Sequence, residues 1–144
     1  GATGNNGATG NTGTGTDTTI VVFNSNTVVE GGTRLIGQGH TCAITSADTQ
    51  FSCQYVMPVG GTIDNLKVTT INDPQVTSTS HTYTTTVFNG ASTTTLSCTI
   101  SGLGKTCTDT HPQAFAAGDL LSFRFALDTG ADPTKVVVSV TFTK

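Results

Sequence analysis

An all-β domain of two packed antiparallel sheets is the fold this sequence predicts, on three observations. Short apolar runs recur about every ten residues between clusters of Gly, Asn, Asp and Pro, the spacing of strands in a sandwich. Threonine is the commonest residue and glutamate occurs once, at Glu30, so β-branched residues dominate and helix formers are scarce. No segment of useful length repeats its apolar residues at the roughly 3.6-residue period of a helix. About nine or ten strands in one chain need two sheets face to face, and a double-sheet jelly roll is the expected arrangement.

Taken in order, Thr18–Phe23 reads as the first strand, closed by Asn24, Ser25 and Asn26. Arg34–Ile36 is a short second one. Thr41–Thr45 and Gln50–Met57 read as two arms of a hairpin, stopped by Pro58, Gly60 and Gly61. Thr62–Ile71 follows and ends at Asn72, Asp73 and Pro74. His81–Phe88 alternates, with Tyr83, Thr85 and Val87 on one face and Thr82, Thr84 and Thr86 on the other. Asn89 and Gly90 are a strong hairpin signal. Thr94–Ile100 aligns Leu96, Cys98 and Ile100, and Lys105–Asp109 reads as its return strand. Gly118 and Asp119 turn into Leu120–Leu127, where Leu121, Phe123, Phe125 and Leu127 share a face. After Gly130, Asp132 and Pro133, Lys135–Thr143 closes the chain with Val136, Val138, Val140 and Phe142 inward.

Four cysteines fall into two close pairs, Cys42 with Cys53 and Cys98 with Cys107. Neither spacing is the C-x-x-C of a zinc knuckle or redox motif. Each pair brackets a turn, so two local hairpin disulfides are the simplest pairing, each worth about 2–3 kcal/mol by loop-closure entropy. Disulfides imply an oxidising location, extracellular or on a cell, spore or virion surface. The alternative is four free thiols in a reducing compartment.

Ahead of this domain, glycine occupies every third position: Gly1, Gly4, Gly7, Gly10 and Gly13. Three polyproline-II-like chains wind together only when every third residue lacks a side chain at the axis. Residues 1–17 are therefore expected to be a collagen-like stalk segment, or else an extended Gly/Thr tether, and residues 18–144 a single head domain. A collagen-like segment implies a homotrimer.

Several function classes find no support. Net charge is −3 and the six Lys and Arg are scattered, so there is no electrostatic footprint for nucleic acid. No apolar run reaches the roughly 18 residues of a membrane span. His40, His81 and His111 are far apart and read as solvent-facing. No Gly-x-Ser-x-Gly elbow accompanies the many hydroxyls. Gly37-x-Gly39 precedes a strand rather than a helix, so it fails as a dinucleotide loop. Asp64, Asp119, Asp128 and Asp132 read as turn residues, and so does Asp109. Two of the first four sharing a Ca²⁺ with carbonyl oxygens, at a rim or on a trimer axis, is the metal alternative. The expectation is a protein without catalytic residues, metal or cofactor.

Four runs resemble a known family: YVMPVGGTIDNLKV from Tyr55, YTTTVFNG from Tyr83, TLSCTISG from Thr95 and FAAGDLLSF from Phe115. They are similar to the C-terminal heads of bacterial and phage collagen-like proteins, including the exosporium glycoproteins of spore surfaces. The cysteines, and a leader without Gly-Pro-Thr triplets, depart from the family pattern. The resemblance implies a jelly roll like the C1q and tumour necrosis factor heads, assembled as a three-fold trimer that nucleates a collagen stalk.

On this reading the aromatics Phe51, Tyr55, Phe123, Phe125 and Phe142 are the expected trimer interface. A second reading is a filament subunit that donates a strand (Thr18, Thr19, Ile20, Val21, Val22 and Phe23) to the next molecule's sheet edge. A third is a receptor- or glycan-binding tip of a phage fibre or adhesin.

Overall fold

The structure, a computed structural model, describes residues 16–44, 53–75 and 80–144. Every regular element among them is a strand. In chain order these are β1 (Thr18–Asn24), β2 (Thr33–Ile36), β3 (Thr41–Ala43), β4 (Tyr55–Val56), β5 (Gly61–Thr70) and β6 (Thr82–Asn89). They continue with β7 (Ser92–Ser101), β8 (Thr106–Asp109), β9 (Gln113–Phe115), β10 (Leu120–Leu127) and β11 (Val136–Thr143). All named pairings are antiparallel.

One sheet has the order β1-β11-β5-β8, with β9 also on β5. The other runs β3-β2-β10-β6-β7, with β4 on the same edge of β10 as β2. Neighbours in each sheet are mostly remote in sequence, and the chain crosses repeatedly between sheets. That is the Greek-key wiring of a jelly-roll sandwich.

The alternation read from sequence is the alternation of burial. Phe23, Val136, Val138 and Val140 point inward from the first sheet, and Tyr83, Val87, Leu96, Leu121, Phe123, Phe125 and Leu127 from the second, all buried in one core. Phe123 packs on Phe23 across the sandwich with ring centroids 4.7 Å apart. Tyr83 stacks obliquely on Phe125 at 5.4 Å. Its hydroxyl donates to the carbonyls of Asp73, at 2.9 Å, and Asp132, at 2.5 Å, so one phenol holds two inter-strand loops. Burial, with the nearby Asp132 and Asp73 charges, pushes this phenol up to about 12, so it stays a donor.

β5 departs from simple alternation. Ile63, Leu66 and Val68 are all fully buried although the first two are three residues apart. The register against β11 slips between Ser139 and Thr141, and Asn65 takes a left-handed φ of 49°. This bulge absorbs one residue and keeps the apolar side chains facing the core. Gly61, at the start of the same strand, lies so close to β11 that a Cβ there would sit 2.4 Å from the Phe142 ring and 2.5 Å from the Thr143 carbonyl oxygen.

Two expected hairpins are rearranged. β3 pairs with β2, while the segment expected to return from it supplies only β4, which pairs with β10. β10 is buried along most of its length, and β2 and β4 occupy its free edge end to end. β8 likewise does not pair with β7 but with β5 of the opposite sheet. Gly102, at φ 58°, opens the turn that carries the chain across. The Asn89-Gly90 signal does mark a hairpin. Asn89 pairs with Ser92, so Gly90 and Ala91 form the loop, with Gly90 at φ 59° in the first loop position as a II′ turn requires.

Both cysteine pairings expected from spacing are present, Cys42–Cys53 and Cys98–Cys107. Their placement differs from the expectation, because neither closes a hairpin. Cys98–Cys107 joins β7 of one sheet to β8 of the other, and Cys42–Cys53 ties β3 to the approach of β4.

Candidate functional site

The most distinctive surface is the outer face of the first sheet. Once Phe23 and the inward residues of β11 have filled the core, the alternate positions of β1 and β11 are left pointing outward. Ile20 is 70% exposed, Val22 49% and Val137 45%. The ladder sets these side chains in rows: Ile20 opposite Thr141 and then Asp64, Val22 opposite Ser139 and then Lys67, Asn24 opposite Val137 and then Thr69. The face is apolar along the β1 edge and polar toward β5. A groove of about 280 Å³ continues it past Val137 and Thr69 to Ile71 and Lys135.

Where the open end of the sandwich meets this edge, a second cavity of about 190 Å³ enters between the sheets, lined by Val21, Met57, Ile63, Leu121 and Phe142 with Tyr55 at its side. The backbone N–H of Lys144 donates to the Asp17 carbonyl at 3.0 Å, so the segment leading into β1 and the end of β11 lie together at this pole.

The aromatics expected at an interface therefore divide. Phe123 and Phe125 are completely buried in the chain's own core and are removed from the set. They sit on the inward face of β10, a strand flanked on both edges, so their rings cannot reach another molecule in the folded head. Tyr55 is 36% exposed and Phe142 half-buried, both at the inter-sheet opening. Phe51 and the glycines Gly1, Gly4, Gly7, Gly10 and Gly13 lie outside the described residues. Thr18–Phe23, nominated as a donated strand, pairs along its whole length with β11 of the same chain, and Phe23 fills that chain's core. Ile20, Val22 and Val137 were not singled out from sequence as a surface. The signal was present in TTIVVF and KVVVSVTF, which carry more apolar residues than one buried face needs.

The turn aspartates are engaged separately. Asp119 accepts from the Ala116 N–H and from Asn89 Nδ2, and these bonds, against slight burial, hold its carboxyl below the ordinary range. Asp64 accepts from Asn65, and Asp128 lies 3.4 Å from the His81 ring. His81 is thus largely covered rather than solvent-facing, its side chain being 12% exposed. Among the described residues none of these aspartates belongs to a close group of three or more His, Cys, Asp or Glu side chains.

Asp109 has more structure than a turn residue. It accepts from the backbone N–H of Ser97 on β7 at 2.8 Å, and from the ring and N–H of His111. The Ser97 hydroxyl is itself committed to the Thr85 carbonyl. Burial opposes ionisation of Asp109, but the Ser97 and His111 hydrogen bonds outweigh it and hold its carboxyl below the ordinary value. A depressed folded pKa makes stability that is present above the unfolded value of about 4 and lost as pH falls through the folded one. Urea midpoints measured between about pH 5 and about pH 3 are expected to fall, and less steeply in Asp109→Asn. Equal slopes would show that Asp109 is not a contributor.

No helix among the described residues is long and apolar enough to cross a membrane. No known family model matches the chain, and no curated protein sequence matches it.

Proposed function

We propose that the domain is a non-enzymatic, self-associating head of an extracellular collagen-like fibre, holding three chains in register. The observation that carries this reading is the apolar stripe Ile20–Val22–Val137 on the outside of a sandwich whose core is already complete. Monomeric proteins seldom leave contiguous apolar area on a regular sheet face without a use for it. Burying between subunits the area these side chains still expose contributes about 25 cal/mol per Å². That offsets the poor nucleation of a proline-free triple helix, for which the glycine triplets ahead of β1 in the sequence are the candidate. Two disulfides fit an oxidising compartment and the surface location that such a fibre requires.

Sedimentation at micromolar concentration tests the reading. The wild-type chain is expected at three times its 14.7 kDa mass, and Ile20→Asp with Val22→Asp at the monomer mass with an unchanged β spectrum, because both side chains point to solvent. A wild-type monomer rejects it.

One observation favours the filament as a second reading: β1 is an edge strand whose ladder is with β11, and among the described residues only Asn24 at its end makes a further backbone bridge, to Gly37 and Gly39. Under exchange the wild-type chain grows past three copies into open-ended polymers. Under the trimer reading it stops at three.

A further inference from the structure

We propose that His40, Cys42 and Cys53 form a binding site for one thiophilic divalent cation of the zinc class once the Cys42–Cys53 disulfide is reduced. The fibre-head reading uses this cluster only as a staple, and the cysteine spacing on its own argues against a metal motif. Its geometry argues for one. A ring nitrogen of His40 and the two cysteine sulfurs lie within 4.8 Å of one another, and this is the one such group of three or more among the described residues. The ligand atoms of a tetrahedral zinc, at about 2.3 Å for sulfur and about 2.0–2.1 Å for nitrogen, stand roughly 3.5–3.8 Å apart. The existing spread brackets that figure, and the Cα atoms of the two cysteines are already 6.1 Å apart.

The surroundings suit a ligand set. A Cβ at Gly37 would fall 2.8 Å from His40 Nε2 and 3.0 Å from Cys53 Sγ, so ring and sulfur border one space that glycine leaves open. His40 Nδ1 lies 3.4 Å from the Gln38 carbonyl oxygen. In the tautomer that donates there, Nε2 carries the lone pair, the way a metal-binding imidazole is commonly oriented. Cys42 and Cys53 are buried against Leu35 in a small cluster apart from the main core, which favours a neutral complex of two thiolates and a dication. Cys98–Cys107 has no such third group among the described residues, so the site is specific to one cystine.

The chemistry balances with a phosphine as reductant. Two electrons from phosphorus cleave the S–S bond, while water supplies the oxygen that ends on phosphorus and the two hydrogens of the thiols. One M²⁺ then displaces two thiol protons and takes Nε2 as third ligand, leaving a fourth position to water. Metal occupancy thereby reports the redox state of the cystine.

The test is titration of the phosphine-reduced protein with Co²⁺ and then Zn²⁺, following thiolate-to-cobalt absorption and the far-ultraviolet β spectrum. One equivalent is expected to bind the reduced protein and none the oxidised one, with His40→Ala at least about tenfold weaker. If reduction unfolds the chain, Zn²⁺ is expected to restore the strand spectrum. Binding that is absent, equal in the oxidised protein, indifferent to His40→Ala, or confined to a chain that stays unfolded overturns the proposal.

Discussion

Phe123→Ala is expected to lower the stability of this domain by about 3–5 kcal/mol, as deletion of a buried phenylalanine does when the void cannot collapse. The ring is fully buried, lies against Phe23, and belongs to the strand that carries β2 and β4 on one edge and β6 on the other. A domain with about 5–15 kcal/mol in hand loses a large share of it. The same substitution decides what Phe123 is for. As a core residue, its loss moves the urea midpoint of the unassembled head. As an interface residue, it would leave that midpoint alone and move only the sedimentation coefficient. Ile20→Asp is the opposite case, expected to shift association and leave the unfolding midpoint of the monomer nearly fixed. A Phe123→Ala head that unfolds at the wild-type midpoint contradicts the packing described.

How far the sequence could be read follows from which interactions are local. The period-two pattern of β6, β7, β10 and β11 was legible because each strand alternates a fully buried face with a less buried, more polar one, so Tyr83, Leu96, Phe123 and Val138 announce themselves. The Asn89-Gly90 turn was legible because backbone chirality leaves few residues able to make it. Partner choice was not. Lys105–Asp109 follows β7 immediately and offers it a second arm, yet Gly102 turns the chain and the backbone edge of β5 at Leu66–Thr69 takes it into the other sheet. A turn signal says that the chain reverses, not which edge it joins.

The site was less legible than the fold, for a related reason. Phe123 and Phe125 were expected at an interface because aromatics are common there, but large rings also fill cores, and one-dimensional pattern does not separate the two uses. Ile20 and Val22 stand out in the sequence only as part of a candidate donated strand, because one strand alone does not show which face they share. The face becomes visible only when β11 is laid beside β1 and Val137 falls diagonally across from Val22. Asp109 was hidden more deeply. Its role is to satisfy the Ser97 N–H, a group on the unpaired edge of a strand in the other sheet, and no local motif encodes that meeting.

Replacing Cys98 and Cys107 together by Ala is expected to cost about 3 kcal/mol from the restored entropy of the unfolded chain. The bridge spans only nine residues in sequence, but it crosses from an edge strand of one sheet to an edge strand of the other. At that seam polar links besides it are the Asp109 carboxylate on the Ser97 N–H, which needs β8 held near β7, and the Gln113 amide on the Thr95 hydroxyl. Removing the bridge should therefore do more than lower a midpoint. Amide exchange is expected to accelerate first at Leu66–Thr69 and Thr106–Asp109, the two sides of the β5–β8 ladder, while the central β10–β6 ladder keeps its protection. The Cys42–Cys53 pair closes a loop of similar length, so its removal is expected to cost a similar amount. It staples β3 outside the main core, however, and its loss should expose only β2 and β3. Equal costs with different patterns of exchange would show one cystine acting as a clasp between sheets and the other as a local tie. If both removals opened the same amides, the two sheets would have to be held together elsewhere.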